Sequence, residues 1–176
     1  MIHPPFKAED MLTVSEALDI AEDQTGDFYK FSTGQWRRHR YDVKTLSQLT
    51  RYEVSQEAFA LLEKHTRSKH GVDAKFRHHD FYFICLQDHR ILKAIKRDRN
   101  LELLPLLVYV FTHELVHIVR FCNFSQRFEV STKDREKEEQ IVHATTYEVL
   151  KELSLPKLGY ILDSYETHRV SKMIEC

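Results

Sequence analysis

The longest apolar stretch runs from Leu101 to Phe121, interrupted only by Glu102, Thr112, His113, Glu114, His117 and Arg120. Its length and continuity predict a buried helix over 101–121, with Asn100 as its cap and Pro105 tolerated in the first turn. A second helix is expected to open at Ser131–Lys133 and run to Leu153, packing through Val142, Ala144, Tyr147 and Leu150. About a dozen residues join the two, which favours antiparallel packing.

The rest of the chain reads less uniformly. Val14–Gln24 predicts a helix capped by Thr13 or Ser15 and stopped at Gly26, and Phe28–Phe31 a short strand or loop. Ala58, Phe59, Leu61 and Leu62 recur at helical spacing, predicting an amphipathic helix over Ser55–Arg67. Phe76–Leu86 is aromatic and β-branched and reads as a strand. Gln87-Asp88-His89 would turn it into a return strand over Arg90–Lys96, although Ile91, Leu92 and Ile95 also suit a helix. Pro156 and Gly159 are expected to close the long helical unit before a last helix over Tyr160–Lys172. The fold class expected is α+β, a small β-hairpin or sheet packed on a mostly helical domain. One domain, 1–176, is expected, with a helical N-terminal part over 1–70 and a core over 76–155.

Composition changes this picture little. The chain has 176 residues, 42% hydrophobic and 30% charged, with a net charge of −1. Such a balance gives no overall field for nucleic acid or a membrane surface. The small basic run Trp36–Tyr41 is expected to be solvated or to serve an interface, as are His78, His79 and His89 on the hairpin surface. Three widely spaced cysteines argue against a disulfide framework. No apolar signal segment opens the chain, and the uninterrupted run 103–111 is too short to span a bilayer. A cytoplasmic setting without membrane or nucleic-acid partners is the expectation.

The chemistry concentrates at His113-Glu114-Leu115-Val116-His117, an H-E-x-x-H. Residues four apart share a helix face, so both imidazoles can reach one metal ion. Zinc bound this way lowers the pKa of its water and leaves a position for substrate, and Glu114 is placed to act as general base. Burying two histidines and a glutamate unpaired is costly, and a metal is the simplest partner for the imidazoles. Catalytic zinc usually takes a third protein ligand. The following helix offers Glu136, Glu139 and His143 on one side, while Glu138, about 100° from the Glu139 stripe, is expected to face water.

A motif helix followed 22 positions after its second histidine by a helix-borne glutamate resembles the gluzincin branch of zinc metallopeptidases. The stretch from Glu138 to Leu150 is similar to the second helix of the compact forms, the minigluzincins and the ImmA/IrrE-type regulator proteases. The similarity covers about residues 76–155. It implies a zincin-like core with the metal site between the two long helices. It also implies Zn2+ held by His113, His117 and Glu139, and a protein or peptide substrate cleaved with Glu114 as the base. The strand before the motif helix would then pair with an extended substrate, and the 76–96 hairpin would offer the edge. His143 departs from the regulator pattern, where an aromatic residue is usual. It would be either an electrophilic assistant beside the oxyanion, with Tyr147 as the second choice, or a fourth ligand.

Two other classes compete. In one, His113, His117, Glu139 and His143 fill all four positions of a non-catalytic metal site that staples the helices together. Against it, structural zinc sites usually employ cysteine, and Glu114 would have no role. In the other, Glu114-Leu115-Val116-His117 is half of a di-iron E-x-x-H pair, but its partner would have to be Gln140-Ile141-Val142-His143, where glutamine is a poor ligand.

Overall fold

A computed structural model of the protein describes residues 3–36, 39–66, 80–123 and 131–166. Among the described residues, six helices and three strands follow in the order α1 (Ala8–Tyr29), α2 (Thr33–Trp36), β1 (Tyr41–Lys44), β2 (Ala60–Thr66), β3 (Asp80–Leu86), α3 (Asp88–Arg97), α4 (Leu103–Cys122), α5 (Thr132–Leu150) and α6 (Leu158–Glu166). A short 3₁₀ turn, Leu46–Gln48, follows β1. The α+β expectation holds: a small mixed sheet accompanies a mainly helical chain.

α4 is the hub. Leu106, Leu107, Val108, Phe111, Leu115, Val116 and Ile118 are all at most 1% exposed, so apolar side chains leave this helix in every direction. A helix apolar all round belongs in a core or a membrane. Although α4 has the length and composition to cross a bilayer, 83% of its apolar window is buried inside the protein. It begins at Leu103 after Glu102, two residues later than the sequence suggests, and Asn100 instead donates its backbone N–H to Asp98. α1 packs most extensively against α4, burying Val14, Ala17 and Ala21.

The N-terminal helix is longer than expected. Gly26 does not stop it. The helix continues to Tyr29 and ends at Lys30, which takes a left-handed conformation. Gly26 serves packing instead: a Cβ there would lie 2.8 Å from Nε1 of Trp36. Phe28 and Tyr29 are therefore helical, not a strand. The described part of Trp36–Tyr41 divides: Arg40 is exposed, as expected, but the ring residues are not simply solvated. Trp36 and His39 turn inward into an aromatic cluster with Phe31 and Tyr41. Arg37 and Arg38 lie outside the described residues.

The sheet overturns two further expectations. Ala60–Thr66 is strand β2, not part of a helix over 55–67, so the N-terminal part is not purely helical. It pairs antiparallel with β3, matching Ala60 with Leu86 and Thr66 with Asp80. Arg90–Lys96 is not a return strand but lies in α3, whose apolar face places Ile91 and Ala94 in the core. The order is β1-β3-β2, with β1 parallel to β3. β3 therefore sits in the centre, and the outer strands are β1 and β2. Residues 76–79, including His78 and His79, lie outside the described residues.

Gln87 and Asp88 form no surface turn either. Both are fully buried. The Gln87 side chain accepts from the Ser55 N–H and donates to the carbonyls of Glu53 and Cys85. Asp88 accepts from the N–H groups of Phe6 and Leu46. Two adjacent side chains thus satisfy backbone groups from three distant segments, which would otherwise be buried unpaired. Next to them, His89 is buried and stacks on His3 with ring centroids 4.2 Å apart, which corrects its surface assignment. Burial pushes the His89 pKa down.

α5 starts where its cap predicts: the Ser131 hydroxyl accepts from the Asp134 N–H. It ends at Leu150, three residues short of Leu153. Its buried face is Glu138, Val142, Thr146, Val149 and Leu150, whereas Ala144 and Tyr147 are exposed. Gly159 lies inside α6, which begins at Leu158, two residues before Tyr160. Residues from 167 onward, the end of the expected last helix, lie outside the described residues.

Candidate metal centre

Contacts between α4 and α5 descend one helix as they climb the other: Arg120 with Glu138, His117 and His113 with Glu139, Tyr109 with His143. The helices are antiparallel, as the connection length suggests. Their shared face carries the polar groups of the H-E-x-x-H motif.

Glu139 stands at the centre. Its Oε2 lies 3.3 Å from Nε2 of His113 and 3.8 Å from Nε2 of His143, and its Oε1 lies 3.1 Å from Nε2 of His117. The rings of His113 and His117 meet edge to face at 4.8 Å, and His113 and His143 are 4.5 Å apart. Nδ1 of both His113 and His117 is buried without a hydrogen-bond partner, so each imidazole addresses the carboxylate through Nε2. One ligand atom each from His113, Glu139 and His143 falls within 4.8 Å of the others. His117 joins through the carboxylate's other oxygen.

Zn–N and Zn–O bonds of about 2.0–2.1 Å in a tetrahedron place neighbouring ligand atoms roughly 3.3–3.4 Å apart. The separations from Glu139 to the two motif histidines, 3.3 Å from Oε2 to His113 and 3.1 Å from Oε1 to His117, are each near that spacing but run to opposite oxygens of the carboxylate. Two imidazoles with one carboxylate are a donor set that zinc accepts. The residues fit the group.

Electrostatics follow from burial and proximity. Burial alone would raise the Glu139 carboxyl, but hydrogen bonds with His113 and His117 outweigh it and hold the group well below the usual carboxylate range. Burial opposes charge on His113, yet the Glu139 hydrogen bond and the Glu114 and Glu139 carboxylates leave its pKa raised. Glu114 is 8% exposed, and burial pushes its carboxyl up against the pull of His113 and His117. A carboxylate raised in this way is better able to hold a proton than an exposed one.

Several residues take places that the sequence does not suggest. Glu138 does not face water. It is 4% exposed and receives two hydrogen bonds from Arg120, Nε to Oε1 at 2.7 Å and Nη2 to Oε2 at 2.8 Å. A buried carboxylate needs such a partner, and the arginine late in a largely apolar helix was the signal for it. Tyr109 is the second omission. Its hydroxyl and Nδ1 of His143 share a hydrogen bond of 2.9 Å. Tyr109 precedes His113 by one turn, which places it on the same face. Tyr147 is 37% exposed and lies one turn beyond His143, and Glu136 is exposed.

A second grouping, Glu53, Glu63 and Cys85, joins β2 and β3 to the segment that precedes β2. Lys44 already neutralises Glu53 at 2.5 Å, and burial pushes the Cys85 thiol up to about 12, so it stays protonated. That chemistry disfavours a cation. No protein-family model matches the chain, and comparison with curated proteins and with solved structures found no match.

Proposed function

We propose that the protein is a zinc-dependent metallopeptidase with a zincin-like core, acting in the cytoplasm on a protein or peptide substrate. The observation that carries this reading is the convergence of the His113 and His117 imidazoles on Glu139, with buried Glu114 beside them. His113, His117 and Glu139 would hold the ion. When bound, zinc supplies Lewis acidity for the scissile carbonyl and a water of lowered pKa.

The chain's own groups do the rest. Glu114, raised by burial, accepts the proton of the attacking water at its carboxylate and delivers it to the leaving amine. His143, held through Nδ1 by Tyr109, presents Nε2 to the site and is the first candidate to steady the developing oxyanion. Tyr147 is the second. Because β3 is enclosed by β1 and β2, an extended substrate would add to an outer strand, by backbone hydrogen bonding.

A specific observation favours one alternative. His143 Nε2 lies close enough to Glu139 to serve as a fourth ligand and close the site, giving a non-catalytic metal-binding protein. The deciding experiment measures zinc content and cleavage of a broad peptide library by wild type and Glu114→Gln. The peptidase reading expects one zinc in both proteins and a loss of cleavage of at least about 100-fold in the variant. Stoichiometric zinc without Glu114-dependent cleavage would instead support the closed site. A wild type that binds no zinc removes both readings.

A further inference from the structure

The Arg120–Glu138 pair sits directly behind the site. Glu138 Oε1 lies 3.9 Å from Nδ1 of His117, and the two side chains are 5% and 9% exposed. That Nδ1 is buried and has no hydrogen-bond partner. An imidazole that offers the lone pair of Nε2 to a metal must carry its proton on Nδ1. Buried without an acceptor, such an N–H costs about 1–3 kcal/mol. Glu138 Oε1 is within about one ångström of hydrogen-bond reach. Arg120 binds Glu138 through both oxygens, which fixes the position of the carboxylate. Tyr29, at the end of α1, is close enough to interact electrostatically with both members of the pair.

We propose that Glu138 is a positioning residue: it accepts a hydrogen bond from the Nδ1–H of His117 when that ring serves as a ligand, fixes the tautomer and ring orientation of that ligand, and is itself aimed by Arg120. The proposal rests on the metal-site reading above. It assigns a functional role to an ion pair that would otherwise be only a staple between α4 and α5.

The test compares wild type with Glu138→Gln and with the double variant Arg120→Gln/Glu138→Gln, which leaves no unpaired buried charge if the single variant folds poorly. Zinc dissociation constants come from chelator competition, the His117 Nδ1 proton from NMR of zinc-loaded protein, and folding from thermal melting of metal-free protein. The expectation is zinc binding weakened about 10–100-fold in whichever variants fold, with the His117 Nδ1 proton moved upfield. Wild-type zinc affinity and an unmoved proton in a folded variant would overturn the role and leave the pair as a staple. If wild type itself binds no zinc, the metal reading fails and takes this inference with it. The two failures are therefore separable.

Discussion

Tyr109 and His143 face each other across the α4–α5 contact, hydroxyl to Nδ1 at 2.9 Å, with their rings inclined by 22°. The same tyrosine ring is inclined by 24° to His113. Tyr109 itself is 1% exposed. Tyr109→Phe keeps the packing and removes only the hydroxyl. It is expected to cost about 1 kcal/mol of stability by urea unfolding of metal-free protein. It should also lower kcat/KM by about tenfold if His143 acts on the substrate. Unchanged values of both would make the bond idle.

Gly26 provides a test of packing against helix propensity. Alanine should favour a helix interior by about 1 kcal/mol over glycine. Here its Cβ would sit 2.8 Å from the Trp36 indole, which is hemmed in by Phe31, His39 and Tyr41. Gly26→Ala should therefore lower the melting temperature and shift the fluorescence of Trp36, the chain's single tryptophan. A rise in melting temperature would show that the indole yields freely.

Glu53 links stability to pH. Its carboxylate receives a hydrogen bond from Lys44 and another from the Thr50 N–H, and together these hold it well below its ordinary value of 4.5. A depressed carboxyl contributes stability that is complete above the ordinary value and is lost as pH falls toward the folded one. Glu53→Gln should cost about 1.5–3 kcal/mol at neutral pH. The gap to wild type should shrink as urea unfolding is repeated toward about pH 3. A pH-independent gap would mean that the ion pair contributes nothing.

Where one physical pattern dominated, the sequence was a good guide. α4 and α5 follow from apolar continuity and a serine cap, and the three residues expected to hold the metal, His113, His117 and Glu139, lie together. Around β2 the pattern was ambiguous. Leu61 and Leu62 fit a helix as well as a strand, and pairing with Cys85 and Ile84 of β3 decides the matter. Helix α3 was misread because Ile91, Leu92 and Ile95 suit either period, and the buried bonds of Gln87 and Asp88 are invisible without their distant partners. At the site, helical spacing from Glu139 alone points Glu138 outward, but the interface has room for two adjacent carboxylates because Arg120 pairs with the second.

The central place of β3 has a consequence for how the chain comes together. As the last strand among the described residues, it is the partner that both earlier strands require, and β1 must wait across some forty residues for it (Tyr41 pairs with Tyr82). Such pairings carry a loop-closure cost before any contact compensates for it. α1 likewise has its main packing partner in α4, further along still. During synthesis the first half of the chain therefore has little to fold against until residues 80–122 have been made, and assembly of the sheet and burial of α1 should coincide in one late, cooperative step, with the face shared by His113, His117 and Glu139 completed only when α5 follows.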